Sequence, residues 1–196
     1  MLSISTSYLV TANVSGADIV RRLAAFDISA VELSYRIDEE CFFDIREALN
    51  RSRLQVSSVH NFFPIPSSAP NGKGGGDVFL LSHPAVEERF KAVQWTKRSI
   101  EQAFTVRAKA VVLHCGRIEM NAERERLYAF FRNGQIHIHD ARGLDDHLPP
   151  GSGEIDFKKI GTWIGDDTLK VIELKLGTPD SEVASGIHYL AKKMKL

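Results

Sequence analysis

Short apolar runs rich in β-branched residues recur along the chain, each followed by a longer stretch in which apolar positions return every three or four residues. The short runs are "LSISTSYL", "SAVELSY", "LQVSSVHNF", "KAVVLHCG", "GQIHIHD" and "LKVIELK", with the length and make-up of strands buried on both faces. Between them, "SGADIVRRLAAF", "DEECFFDIREALNRS", "HPAVEERFKAVQWTKRSIEQAF", "NAERERLYAFFRN", "DFKKIGTWIG" and "DSEVASGIHYLAKKM" carry the helical period. The alternation predicts an α/β protein of six βα units, one domain over residues 1–196, built on a parallel sheet. Such a sheet is either doubly wound or closed as a barrel. A doubly wound sheet carries a glycine-rich turn after its first strand, and "YLVTANVSG" has none, which favours the barrel.

The third helical segment shows the pattern best. Val86, Phe90, Val93, Ile100 and Phe104 fall near one face, so that face is expected against the sheet, with Pro84 in the first turn and Ser82 as N-cap. Trp95 and Trp163, both in helical segments, are expected in the core. The loop "PIPSSAPNGKGGGD" reads equally as a lid or as a surface excursion, and it lacks the GKS or GKT ending of a phosphate loop.

Composition narrows the classes. The 196 residues are 43% hydrophobic, and 25 Lys and Arg balance 25 Asp and Glu, so no net field draws the chain to nucleic acid or an anionic membrane. No run is long and apolar enough to span a bilayer, and the first residues lack a basic, apolar leader; a cytoplasmic protein is the expectation. Cys41 and Cys115 stand far apart without metal-finger spacing, so no disulfide framework is expected, and Cys115 reads as a structural thiol.

In a parallel βα fold, function gathers at the carboxyl ends of the strands. His60 ends "VSSVH", His114 ends "AVVLH", Glu32 lies late in "AVEL", His137 and His139 lie in "IHIHD", and Glu173 sits in "VIELK". One strand-end histidine is ordinarily a satisfied core group; several converging imidazoles and carboxylates make a site for Zn, Mn or a similar divalent ion. His137 and His139 point the same way from their strand, one as ligand and the other behind it. Asp140 begins a turn whose amides its side chain can bond, Asp145 and His147 read evenly as ligands or as solvated loop residues, and Asp156 is an N-cap.

Over nearly its whole length, through "AVELSY", "VSSVHNFFP", "RFKAVQWTKRSIEQAFTVRAKAVVLHCG", "IHIHDARGLDDHLPPGSGEIDF" and "VIELK", the chain resembles the xylose isomerase-like TIM barrels. That superfamily holds sugar-phosphate isomerases and epimerases and the endonuclease IV type of AP endonuclease. The resemblance implies a divalent metal (Zn, Mn or Mg) held by His60, His114, His137, Asp145, His147 and Glu173. It also implies Glu173 as half of an acid/base pair. Glu32 and Lys175 are candidates on the substrate side, each with an ion-paired structural role as the plainer alternative.

The departure from the family is a missing stretch. Barrels of this kind have eight βα units and about 250 residues. Here "ERLYAFFRNGQIHIHD" runs from the apparent fourth helix into what matches the family's seventh strand, so the fifth and sixth units are absent, with the junction near residues 131–135. Such a shortening exposes strand edges, which a homo-oligomer could cover. The leading expectation is a protein of the sugar phosphate isomerase/epimerase type, acting on a small sugar or sugar phosphate, with an incomplete metal site and weak or absent activity. The alternatives are phosphodiester hydrolysis of abasic DNA, which the balanced charge argues against, and a non-catalytic remnant.

Overall fold

The computed structural model describes residues 1–11, 13–66, 69, 78–113, 134–143 and 145–194. They fall into two compact units, one made of residues 1–11 with those from 134 onward, the other of residues 13–113.

In the first unit, β1 (Leu2–Ser5), β5 (Gln135–Ile138) and β8 (Leu169–Ile172) form a parallel ladder with β8 in the middle, Val171 lying opposite both Ser3 and His137. The run after β1 turns instead of extending, because the Ser5 hydroxyl accepts the Ser7 N–H and caps a short 3-10 turn over Thr6–Tyr8. β6 (Asp140–Arg142) and β7 (Asp145–Leu148) form an antiparallel hairpin where the sequence suggested only a loop. Asp156 caps the short helix α4 (Phe157–Gly161) through the Lys159 N–H, as its position in "GEIDF" predicts. The last helix, α5 (Asp180–Met194), spans the whole expected segment and buries Val183, Gly186 and Leu190 along one face.

In the second unit, β2 (Ala30–Leu33), β3 (Gln55–His60) and β4 (Ala110–Val112) are parallel, with β3 between the other two. All six strands expected from the sequence therefore form. Ser15 caps α1 (Gly16–Ala24) and Asp38 caps α2 (Glu39–Leu49). The two helices pack closely at Gly16, where a Cβ would come within 2.4 Å of the Cys41 carbonyl oxygen, a distance no side chain survives. Cys41 itself is half-buried, and burial, with Asp38 and Asp44 nearby, pushes its thiol up to about 11, which suits a structural role.

The third helix corrects the pattern reading. α3 (Val86–Thr105) buries Ala92, Ser99 and Ala103, while Phe90 and Phe104 are 62% and 85% exposed and Val86, Val93 and Ile100 are exposed as well. Small side chains let this helix approach β3 and β4 closely, so close fit and not side-chain size chose the buried face. The helix also begins later than expected. Ala85 is the N-cap residue and makes no side-chain bond, so Ser82 does not cap it and Pro84 precedes it; Glu87 and Glu88 in the first turn complement the helix dipole instead. Trp95 and Trp163 are only partly buried.

The expected helix "NAERERLYAFFRN", His114, Cys115, residues 131–133 of the inferred junction and most of the "PIPSSAPNGKGGGD" loop lie outside the described residues. Among the described residues no helix is long and apolar enough to cross a membrane.

Candidate functional site

Glu173 stands one residue past β8, and its N–H donates to the Ile138 carbonyl at 3.1 Å, extending the β5–β8 ladder beyond the strand end. The ladder thereby sets Glu173 beside His137, whose Nδ1 lies 2.7 Å from Glu173 Oε2. Both side chains are largely buried. His137 Nε2 lies 3.3 Å from the Gln135 amide nitrogen. A proton on Nδ1, donated to the carboxylate, with Nε2 accepting from the amide, satisfies both contacts.

The hairpin supplies the third member. His147 sits on β7 with φ of 55°, a left-handed conformation rare outside glycine, and its Nε2 lies 3.7 Å from Glu173 Oε2 while Nδ1 lies 3.0 Å from Asp146 Oδ1. Three contacts hold it there. The His147 N–H donates to His139 Nδ1 at 3.1 Å, the two imidazoles stack with centroids 4.2 Å apart, and the Lys175 N–H donates to the His147 carbonyl at 3.1 Å. His139 thus orients His147 through a ring nitrogen already engaged.

Asp140 fastens the loop behind the hairpin. Its buried carboxylate accepts the N–H groups of Ala141, Gly151 and Ile155 at 2.8–3.0 Å. Burial alone would raise the carboxyl pKa; backbone donors from Ile155, Gly153, Ala141 and Gly151 outweigh it and hold the pKa below the usual value. Gly153 is needed for this wrapping, since a Cβ there would lie 2.4 Å from Asp140 Oδ1. The "PPGSGEI" spacing is therefore the spacing of amides around one carboxylate.

Charge in the site is shared between acids and imidazole. Glu173 most strongly raises the His147 pKa, burial opposes it, Asp146 adds to it, and the result is about 9, so a cation bound through His147 would have to displace that proton. The donor set also suits a divalent cation. Imidazole and carboxylate are borderline and hard donors, the kinds such ions accept.

The remaining expected residues are placed as follows. Asp145 is exposed and paired with Lys175, which accordingly meets Asp145 in an ion pair. In the second unit Glu32 is fully buried and accepts from Ser58 Oγ at 2.7 Å. His60 is buried at the carboxyl end of β3, edge-on to Tyr35, with Nδ1 2.9 Å from the Asn61 carbonyl; a proton donated there leaves Nε2 in the form that ligates metals. His114 lies outside the described residues. Sequence reasoning missed Asp146 and Gln135, which hold His147 and His137; the doubled acid in "DDH" and the alternation in "QIH" were the available signals.

Two solved structures share this fold. The 3-keto-D-glucoside 4-epimerase YcjR from E. coli, in its apo form, aligns over 97% of this chain and 98% of its own, with a TM-score of 0.63 and 11% identity. The IOLI protein with a bound zinc atom aligns over 100% of this chain and 99% of its own, with a TM-score of 0.66 and 10% identity. The likeness is one of fold, the α/β alternation of parallel strands and helices. No family model and no curated protein matches the sequence.

Proposed function

We propose that the protein binds a divalent cation (Zn, Mn or Mg) through Glu173, His137 and His147, and acts on a small sugar or sugar phosphate as a reduced member of the sugar isomerase/epimerase type. The observation that carries this is Glu173 Oε2, which receives two imidazoles at the carboxyl end of β8. Support comes from the neighbours, one a keto-glucoside epimerase and the other a zinc-bound protein. The family resemblance adds His60, His114 and Asp145 to the ligand set, and Glu32 and Lys175 to the substrate contacts. Asp145 would have to leave Lys175 to take part.

The cation's contribution is to polarise the carbonyl oxygen of a bound ketose. Glu173 removes the proton from the adjacent carbon, with His137 fixing the orientation of its carboxylate. Inversion of that carbon needs a proton delivered to the opposite face, for which epimerases use a second, opposed carboxylate. With Glu173 the sole matched member of that pair, the proton returns to the face it left. The reading therefore predicts slow exchange of the substrate's carbon-bound proton with solvent, outpacing any net epimerisation.

The test is deuterium incorporation into a panel of ketoses and keto-glycosides in D2O, with protein loaded with Mn or Zn. Exchange that Glu173→Gln abolishes supports the reading. No exchange on any substrate, or exchange untouched by the substitution, refutes it. Multiple turnover at ordinary enzyme rates, about 1–10³ per second, refutes the reduced-site part.

A further inference from the structure

The second unit carries a cleft at the amino-terminal ends of its strands, away from the end where His60 stands. It has a volume of about 530 Å³ and lies where α2 and α3 end and β3 and β4 begin. Arg46, Arg107 and Lys109 line it together with Asn50 and Gln55, and no acidic residue lines it. Arg46 rests over the Phe42 ring at 5.8 Å, and among the described residues no carboxylate pairs with any of the three cations.

Helix-end complementation does not account for this much charge. Two helix carboxyl ends contribute about half a negative charge each, so three cations leave the cleft with a surplus of about two positive charges. A phosphate group at neutral pH carries close to that charge with the opposite sign.

Arg107 gives a second, independent indication. The Ala108 N–H bonds the Ala103 carbonyl at 2.9 Å and the Arg107 N–H bonds the Phe104 carbonyl at 3.1 Å, which is the paired closure of a Schellman motif. The left-handed position of that motif is ordinarily glycine, yet here it is arginine at φ of 55°. The backbone gains nothing from a side chain at that position; a ligand would.

We propose that this cleft binds a phosphomonoester of a small organic molecule, with Arg107 and Lys109 gripping the phosphate and the amides of Asn50 and Gln55 meeting the polar part of its carrier. The volume is that of a small-molecule site and exceeds what a bare phosphate ion fills. The proposal stands apart from the metal site and from the reaction assigned to it.

Calorimetric titration of the full chain with AMP, glucose 6-phosphate, inorganic phosphate and glucose tests it. Saturable binding of at least one ester, tighter than that of inorganic phosphate and absent for glucose, is expected. Arg107→Gly should weaken that binding about tenfold or more, since a charge-assisted bidentate contact is lost. The same substitution should raise Tm by roughly 2–4 °C as the strain is relieved. Lys109→Gln should weaken binding with Tm unchanged. Equal affinity for inorganic phosphate and the esters would leave free phosphate as the ligand and overturn the carrier. No saturable binding, or binding that survives both substitutions, would overturn the site. A fall in Tm in both variants with affinity intact would show that the cations serve only the helix ends.

Discussion

A single carboxylate organises the loop that presents the candidate site. Asp140 is fully buried and bonded by backbone amides on both sides of the proline turn. In Asp140→Asn an amide nitrogen must face one of those N–H donors, at a cost of about 2–3 kcal/mol. The effect has a pH signature. The folded pKa lies below the unfolded value of 3.8, so the stabilisation is fully present above about pH 4 and is lost as pH falls through the lower folded value. Thermal melts of the two proteins should differ most near pH 7 and converge in acid; a constant gap across that range would contradict the role given to the charge. Asp140 as a turn-binding side chain was legible in "HDARG", because short polar residues at strand ends bond nearby backbone. That its partners extend to Ile155 was not, since the distance is closed by a hairpin that no local pattern announces.

At the scale of elements, the βα alternation was legible because strands buried on both faces are uninterrupted apolar runs, and each of the six was found where its run lies. α3 was not, for a physical reason. Its strongest apolar stripe is Val86, Phe90, Val93, Ile100 and Phe104, but the helix meets the sheet through Ala92, Ser99 and Ala103, whose size admits a close approach. Two substitutions separate these faces. Ala92→Leu should cost about 1–3 kcal/mol by overpacking a fully buried position, and Phe104→Ser less than about 0.5 kcal/mol. Chemical denaturation of both variants checks the assignment, and the reverse order would restore the face the pattern favours. The β6–β7 hairpin escaped notice because its strands are short and polar, held by Asp140 and by the stacked histidines instead of an apolar face.

For the whole molecule, strand-end histidines and acids carried the functional reading, and for part of the set the structure supplies the geometry. Glu173, His137 and His147 are drawn together by the ladder and the hairpin, Asp145 is held by Lys175, and Glu32 is buried against Ser58. The sequence could name Asp145 and His147 but could not tell which of the two stands beside Glu173, because that depends on the left-handed turn of the backbone at His147. The most direct test of this account is equilibrium titration of the metal-free protein with Zn or Mn, read by calorimetry and elemental analysis. The account predicts one tightly held ion per chain, with affinity lowered at least tenfold by Glu173→Gln and by His137→Ala. An absence of stoichiometric binding, or an ion retained equally by both variants, would contradict it.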